Sequence, residues 1–189
     1  MALSKQCYIF SVKQLKIYPL TQDDETTLTY GTGIEIPQAK KLTFKPTYET
    51  YKCKHNGKTT DQVIDLIEGE WALDCNLLDL DVLTNLEGDT LTTSGAAETE
   101  VHELELNASS QPPYFKIEAK VKYTGKNSTV KDAHIILHKC IANGPETNLE
   151  DAAYSSFPAS GQALITVNGG ANGKLRTLKL YAQDTELTA

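Results

Sequence analysis

YFKIEAKVKY, residues 114–123, decides the fold class of this chain. Its apolar and charged residues alternate, so that every second side chain lies on the same side of an extended backbone. A strand with this pattern buries one face and leaves the other face polar, as strands of antiparallel sheets do. The apolar set is Phe115, Ile117, Ala119, Val121 and Tyr123, and the opposite set is Lys116, Glu118, Lys120 and Lys122.

Extended segments of this kind occupy most of the chain and predict a single, mainly β domain over residues 1–189. They are separated by polar turns rich in Gly, Asn and Thr, which is typical of antiparallel sheets. The last two segments flank a glycine-rich stretch and are expected to pair with each other. The main predicted strands are residues 13–20, 41–51, 68–75, 101–106, 115–123, 132–142, 162–168 and 174–182.

One short α-helix is expected within this β-rich pattern. Apolar residues recur on one side of the segment, and a glycine stands where a left-handed residue commonly ends a helix. The pattern predicts about two helical turns. Its features are a cap from Asp79 or Asp81, an apolar stripe of Leu80, Leu83 and Leu86, and a terminal Gly88.

A hairpin arm is predicted at about residues 48–60. The dipeptide at residues 56–57 is Asn-Gly, which readily supplies the positive φ angles of a two-residue hairpin turn. Two isolated strands have too small a core to be stable in water, so such an arm is more useful between subunits than within one. The candidate contact residues of the arm are Tyr48, Tyr51, Lys52, Lys54 and Lys58.

The distribution of charge is the main functional clue. Residues 59–115 contain no Lys or Arg but carry 13 of the 25 carboxyl side chains, although the whole chain has a net charge of only -7. Many apolar residues lie in the same stretch, so it is expected to fold rather than to remain a solvated acidic tail. The sequence therefore predicts a folded surface of one sign.

Neither membrane insertion nor export is expected from the sequence. It has no apolar run of 18 residues, and charges interrupt the first residues too often for a signal peptide. We therefore expect synthesis in a cytoplasm. Cys7, Cys53, Cys75 and Cys140 are widely spaced, which favours free thiols over a disulfide framework in that compartment.

No catalytic, metal or cofactor site is predicted, and we do not expect an enzyme. His134 and His138 are four residues apart, a spacing that on a strand separates the side chains by about 13 Å, too far to share one metal ion. Glu103 and Glu105 could pair as acid and base, but carboxylates two residues apart are common on solvated strand faces. The glycine-rich residues 168–173 lack the Lys and Ser or Thr of a phosphate-binding loop.

Tight nucleic-acid binding is also not expected. Affinity for the phosphate backbone requires clustered Lys and Arg, whereas this chain is acidic and has a single arginine, Arg176. A surface lined with carboxylates repels phosphate instead. Such a surface is suited to a channel through which a DNA duplex passes without being bound.

The order of several segments resembles the major tail proteins, or tail tube proteins, of long-tailed bacteriophages. The resemblance covers roughly residues 12–181, which is the expected core of the domain. Its strongest part is the PYFKIEA strand (113–119), followed by a second strand, a polar acidic loop and a strand beginning near Phe157. The segments are GTGIEI (31–36), KLTFKPTYETYKCKHNGKT (41–59), EGEWALDCNLLDLDVLTNLEGD (68–89), QPPYFKIEAKVKY (111–123), DAHIILHKCIA (132–142) and YSSFPASGQALITV (154–167).

The resemblance implies a β-sandwich or barrel of two packed antiparallel sheets, with one flanking helix and an extended hairpin arm. It also implies hexameric rings that stack into the tail tube of a siphophage virion, assembled in the host bacterial cytoplasm. The implied partners are other copies of this chain, a tape-measure protein, tail-terminator and distal tail proteins, and genomic DNA in transient, non-specific contact during ejection. The acidic stretch would line the lumen, with Glu68, Glu70, Asp74, Glu103 and Glu105 as candidates.

Three alternative functions remain open at this point. A head-tail connector or tail-terminator protein would form a single ring, and the tube of a contractile injection system would share the fold. A soluble ligand-binding β-sandwich would remain monomeric and should offer a pocket rimmed by aromatic residues. The nine tyrosines of this chain are instead scattered along the sequence.

Overall fold

The computed structural model describes residues 7–56, 58–76, 79–125, 130–146, 157–168, 173–182 and 185–187. These residues form a mainly β fold with one α-helix, as predicted. A short 3-10 turn occupies Ala97–Thr99. The strands are β1 (Cys7–Asp23), β2 (Leu28–Tyr30), β3 (Ile34–Glu35), β4 (Ala39–His55), β5 (Lys58–Cys75), β6 (Thr90–Ser94), β7 (Val101–Glu105), β8 (Phe115–Gly125), β9 (Val130–Pro145), β10 (Ala159–Leu164) and β11 (Arg176–Leu180), and the helix is α1 (Leu80–Glu87).

Two antiparallel sheets contain all of these strands. Nine strands form the large sheet, in the order β2, β1, β8, β9, β10, β5 and β4, with β3 paired to β1 and β11 paired to β9. The small sheet consists of β6 and β7 alone. Both expected antiparallel sheets are therefore present, but they differ greatly in size.

The long strand β9 joins the two halves of the large sheet. One edge of β9 pairs with β8, while its other edge pairs with β11 through residues 133–137 and with β10 through residues 140–145. The expected pairing of the last two strands with each other is therefore wrong, because β10 and β11 both pair with β9. Residues 169–172 of the glycine-rich stretch lie outside the described residues.

The large sheet curls around a single hydrophobic core without closing into a barrel. Trp71 of β5 meets Phe115 of β8 edge to face, with ring centroids 5.8 Å apart, and Leu15 and Ile17 of β1 are fully buried in the same cluster. β1 also contacts β4, although the two strands are not hydrogen-bonded neighbours in the sheet. The curled shape therefore depends on side-chain packing rather than on a closed ladder of hydrogen bonds.

The helix forms where its capping signals predict. The carboxylate of Asp79 accepts hydrogen bonds from the backbone N–H groups of Asp81 and Val82, and Gly88 ends the helix at φ 75°. Val82 and Leu86 are the buried residues of the helix and pack into the core. Leu86 of the predicted apolar stripe is therefore buried. The second buried residue of the helix is Val82, not Leu80 or Leu83.

A register shift in β9 separates residues that simple alternation would place together. Ile117 pairs with Leu137, but Phe115 pairs with Cys140. These partners are two residues apart in β8 and three residues apart in β9, so β9 has one extra residue here and its side chains change faces. Cys140 is consequently buried in the core, while His134 and His138 lie on the outer face. Cys53, Cys75 and Cys140 are free thiols, and no described helix is long and apolar enough to cross a membrane.

Candidate functional site

The β4–β5 hairpin projects far beyond the core. Pairing continues from Ala39 opposite Cys75 to His55 opposite Lys58, but burial ends near Pro46 and Gly69. Every described residue between positions 48 and 67 is exposed. We call residues 48–67 the arm, and the predicted arm at about residues 48–60 lies within it.

One face of the arm is an apolar continuation of the core-facing side of the hairpin. Tyr48 pairs with Leu66, and Thr50 pairs with Ile64. No extra residue interrupts β4 between Phe44 and Thr50, so Tyr48 and Thr50 lie on the same face of the strand as Phe44. A bulge between the pairs at positions 47 and 48 inserts Ile67 into β5. The apolar members remain uncovered, with exposed fractions of 57% for Tyr48, 56% for Ile64, 45% for Ile67 and 39% for Leu66.

The other face of the arm is mixed, and its tip is basic. Tyr51 pairs with Val63, both about half exposed, and the Tyr51 hydroxyl donates to the Glu49 carboxylate over 2.6 Å. Near the turn, Lys54 pairs with Thr59 and His55 pairs with Lys58. All five predicted contact residues of the arm are exposed, and they are Tyr48, Tyr51, Lys52, Lys54 and Lys58.

The five predicted lumen residues lie in two separate sheets. Glu68, Glu70 and Asp74 belong to β5 of the large sheet, whereas Glu103 and Glu105 belong to β7. Glu70, Glu103 and Glu105 are exposed, and Glu68 and Asp74 are half-buried. The structure therefore does not bring these carboxylates together on one continuous strand face.

Lysines of β4 lie beside the acidic residues of β5. Lys45 pairs with Glu70 in the ladder, and its Nζ is 3.9 Å from the Glu70 carboxylate. Lys41 pairs with Asp74 in the same way. Because both members of the Lys45–Glu70 pair are largely exposed, their attraction contributes little to stability. Residues 59–115 contain no Lys or Arg, but pairing of β4 with β5 places lysines of β4 beside them. The sequence pattern did not reveal this pairing of charges.

Strands β6 and β7 form a second projecting hairpin, which we call the ribbon, residues 90–105. Thr92 pairs with Glu103 and Thr90 pairs with Glu105, so each carboxylate lies opposite a neutral residue. The 3-10 turn between the strands adds Glu98. No Lys or Arg occurs in the ribbon, which makes it the more strongly acidic of the two candidate surfaces.

The charged face of β8 is buried, although its alternation predicts a polar and solvated surface. Lys116, Glu118 and Lys120 are all buried. Lys116 forms an ion pair of 3.1 Å with Glu118, and its Nζ also lies 3.6 Å from the centroid of the Tyr18 ring. These charges are therefore structural rather than free for a partner.

Asp132 of β9 is the centre of this buried network. Its side chain is fully buried and lies 2.6 Å from Lys122 Nζ and 3.3 Å from Lys120 Nζ. Burial alone would raise the pKa of this carboxyl group, but hydrogen bonds from Lys122, the Thr185 N–H group and Lys120 lower it on balance. Asp132 is therefore ionised at neutral pH.

The C-terminal segment, of which the structure describes residues 181–182 and 185–187, covers the network. The Thr185 N–H donates to the Asp132 carboxylate over 2.8 Å, and Lys120 Nζ donates to Glu186 over the same distance. Tyr181 donates its N–H to the Asp132 carbonyl and accepts from the Tyr123 hydroxyl through its own carbonyl. The segment thus shields the charged face of β8 from solvent.

The two histidines of β9 serve different structural roles. His134 lies between Glu118 and the C-terminal residues, with Nδ1 3.1 Å from Glu118 Oε1 and Nε2 3.2 Å from the Thr185 carbonyl. His138 contacts the Thr177 hydroxyl over 2.8 Å. Burial, followed by the charge of Lys174, lowers the pKa of His138 to about 4. Among the described residues, no group of three His, Cys, Asp or Glu side chains could hold a metal ion.

Among the described residues, the arm and the ribbon are the two exposed hairpins, while the titratable residues of β8 and β9 are mostly engaged in buried contacts. The sequence matches no protein-family model, and comparison with curated proteins finds no relative.

Proposed function

We propose that this chain is a structural virion protein that forms stacked hexameric rings and thereby the tail tube of a long-tailed bacteriophage. The observation that carries the proposal is the arm, a long hairpin with apolar residues exposed on both faces. The proposal of six subunits in each ring, and of rings that stack into a tube, comes from the resemblance in segment order to tail tube proteins. The mainly β fold with one flanking helix is compatible with that resemblance.

The physical argument for self-association starts from the uncovered side chains of the arm. A two-stranded hairpin with no layer packed on it is marginally stable in water, and a contiguous apolar patch on it favours coverage by a partner. The lysines at the tip are also opposite in charge to the acidic surface that the rest of the chain offers on a neighbouring subunit or ring. A second copy of this chain therefore satisfies both features of the arm.

The proposed lumen is acidic and allows DNA to pass without being held. The ribbon is the better candidate for this surface, because Glu103 and Glu105 are exposed and have no lysine opposite them. Glu68, Glu70 and Asp74 remain candidates on β5. In this proposal a tape-measure protein occupies the lumen before ejection, and tail-terminator and distal tail proteins contact the two ends of the tube.

A purified sample should distinguish this function from its alternatives. We expect concentrated protein to form rings or tubes visible by negative-stain microscopy and to sediment as large species. A single closed ring that never stacks would instead support a connector or terminator protein. A species that stays monomeric at high concentration and with tail-assembly partners present would contradict the proposal and favour a soluble binding protein.

The lumen assignment predicts a charge-reversal effect. Replacing Glu103 and Glu105 together by Lys should leave the domain folded, since exposed substitutions usually change stability by under about 0.5 kcal/mol. Particles assembled from this variant should release DNA about tenfold more slowly or worse, because each new lysine can bind phosphate. The double Gln variant is the matched control and should have a much smaller effect. Normal ejection by the Lys variant would exclude these two residues from the lumen.

A further inference from the structure

The C-terminal segment is a separable element of the fold. Tyr181 directly follows β11, and no described residue after it belongs to a strand. Thr185 and Glu186 are held to β8 and β9 by hydrogen bonds and one ion pair rather than by a strand ladder. Release of these residues therefore need not break any strand pairing of the sheet.

Two adjacent residues of the segment meet polar groups of the sheet. The Thr185 N–H donates to the Asp132 carboxylate over 2.8 Å, and the Thr185 carbonyl lies 3.2 Å from Nε2 of His134. The Glu186 carboxylate accepts a hydrogen bond of 2.8 Å from Lys120 Nζ. The face of β8 and β9 therefore contacts both polar groups of one peptide unit and the charge of the next residue.

An apolar residue and an aromatic ring extend these contacts on either side. Leu187 is buried, although it is not a member of the main core cluster. At the other end of the segment, the Tyr181 ring lies against the His134 ring with centroids 4.5 Å apart, and the Tyr123 hydroxyl donates to the Tyr181 carbonyl over 2.9 Å. The segment is thus bound at both of its described ends.

A vacant face is disfavoured. If Thr185, Glu186 and Leu187 left the sheet, Asp132 would lose a hydrogen-bond donor and Lys120 would lose one of its two carboxylate partners. The side chain of Leu187 would also be transferred to water. The face therefore favours an occupant with the chemistry of this segment.

We propose that this face of β8 and β9 is a binding site for residues 185–187, and that the segment of a second copy of this chain replaces the chain's own. A second copy carries the same residues, so the exchange conserves each contact. Only the high effective concentration of the chain's own segment favours the intramolecular arrangement. The inference does not depend on the proposed tail function, because the arm takes no part in the exchange.

Cross-linking between isotope-labelled and unlabelled copies measures the exchange. A carbodiimide joins a lysine amine to a carboxylate that touches it, as in the Lys120–Glu186 pair, where the Glu186 side chain is 81% exposed. After joint incubation at about 1 mM, near the effective concentration of a short tether, we expect roughly a tenth or more of the joined Lys120–Glu186 peptides to combine labelled and unlabelled halves. At about 10 μM this fraction should fall below roughly one hundredth.

The exposed Lys45–Glu70 pair is the matched control within the same sample. Both residues belong to one hairpin, so their joined peptides should come from a single copy at either concentration. Contacts made by the arm would not join Lys120 to Glu186, which separates this test from that of the tail tube. Lys120–Glu186 peptides that never mix, or equal mixing at both pairs, would overturn the inference.

A fluorescent peptide of residues 181–189 provides a second test on the full chain. Glu186→Lys in the chain places a second cation beside Lys120 and weakens the hold on its own segment, and the variant should fold because the Glu186 side chain is exposed. We expect this variant to bind the wild-type peptide at least about fivefold more tightly than the unmodified chain does. Glu98→Lys, an exposed change in the ribbon, should bind the peptide as the unmodified chain does. Equal affinity of all three chains would contradict a site for this segment.

Discussion

Asp132→Ala is expected to destabilise the fold by about 3–5 kcal/mol, because it leaves buried cations without their anion. Lys120 and Lys122 both contact this carboxylate, and the Thr185 N–H donates to it. The variant should lower the denaturation midpoint in urea and release the C-terminal segment from β9. Because the pKa of Asp132 is lowered in the fold, its contribution is complete above the ordinary value of about 3.9 and is lost as the pH falls further.

Glu70→Ala is the matched control for this prediction. It also removes a carboxylate that pairs with a lysine, but the Lys45–Glu70 pair is exposed and its atoms are 3.9 Å apart. Its loss should cost less than about 1 kcal/mol. Equal destabilisation by the two variants would show that the network around Asp132 does not hold the C-terminal segment in place.

Removing the arm is expected to abolish assembly while leaving the domain folded. Thr47 and Glu68 are cross-strand partners, so replacing residues 48–67 by Asn-Gly joins them through a two-residue turn. Every described residue of the arm is exposed, and the deletion should therefore change the stability of the core by no more than about 1 kcal/mol. Circular dichroism and thermal unfolding would establish the fold, and microscopy would establish the absence of rings or tubes.

Two further variants separate the contributions of the arm. Changing Lys52, Lys54 and Lys58 to Gln removes the charge of the tip and should slow assembly in a salt-dependent way. Changing Tyr48, Ile64 and Leu66 to Thr keeps a β-branched strand and removes the apolar patch, and it should prevent assembly. Normal tubes from the full deletion would refute a role for the arm in the contact between subunits.

The sequence pattern is sufficient to predict the elements that depend on local chemistry. The strict alternation in residues 115–123 becomes β8, and Asp79 and Gly88 cap the predicted helix at both ends. Asn56 of the Asn-Gly dipeptide directly follows β4 and has the positive φ angle, 50°, that such a turn requires. Each of these signals acts over a few residues, so no knowledge of the rest of the fold is needed.

Features that depend on distant parts of the chain are not visible in the same way. The alternation of β8 predicts one polar face but not that Tyr181, Thr185 and Glu186 cover it. Lys45 lies outside the stretch that lacks basic residues, yet strand pairing places it beside Glu70. The register shift in β9 likewise moves Cys140 into the core, against simple alternation.

The pairing of β1 with β8 has a consequence for the kinetics of folding. Pro19 pairs with Phe115 and Cys7 pairs with Gly125, so this ladder must close a very long loop, whereas β4 and β5 are joined by a tight turn. Local hairpins can form within about microseconds, but domains dominated by contacts between distant residues fold in roughly milliseconds to seconds. The arm can therefore form before the core that anchors it, and its apolar face is then exposed to chaperones and to other nascent chains during the slow step.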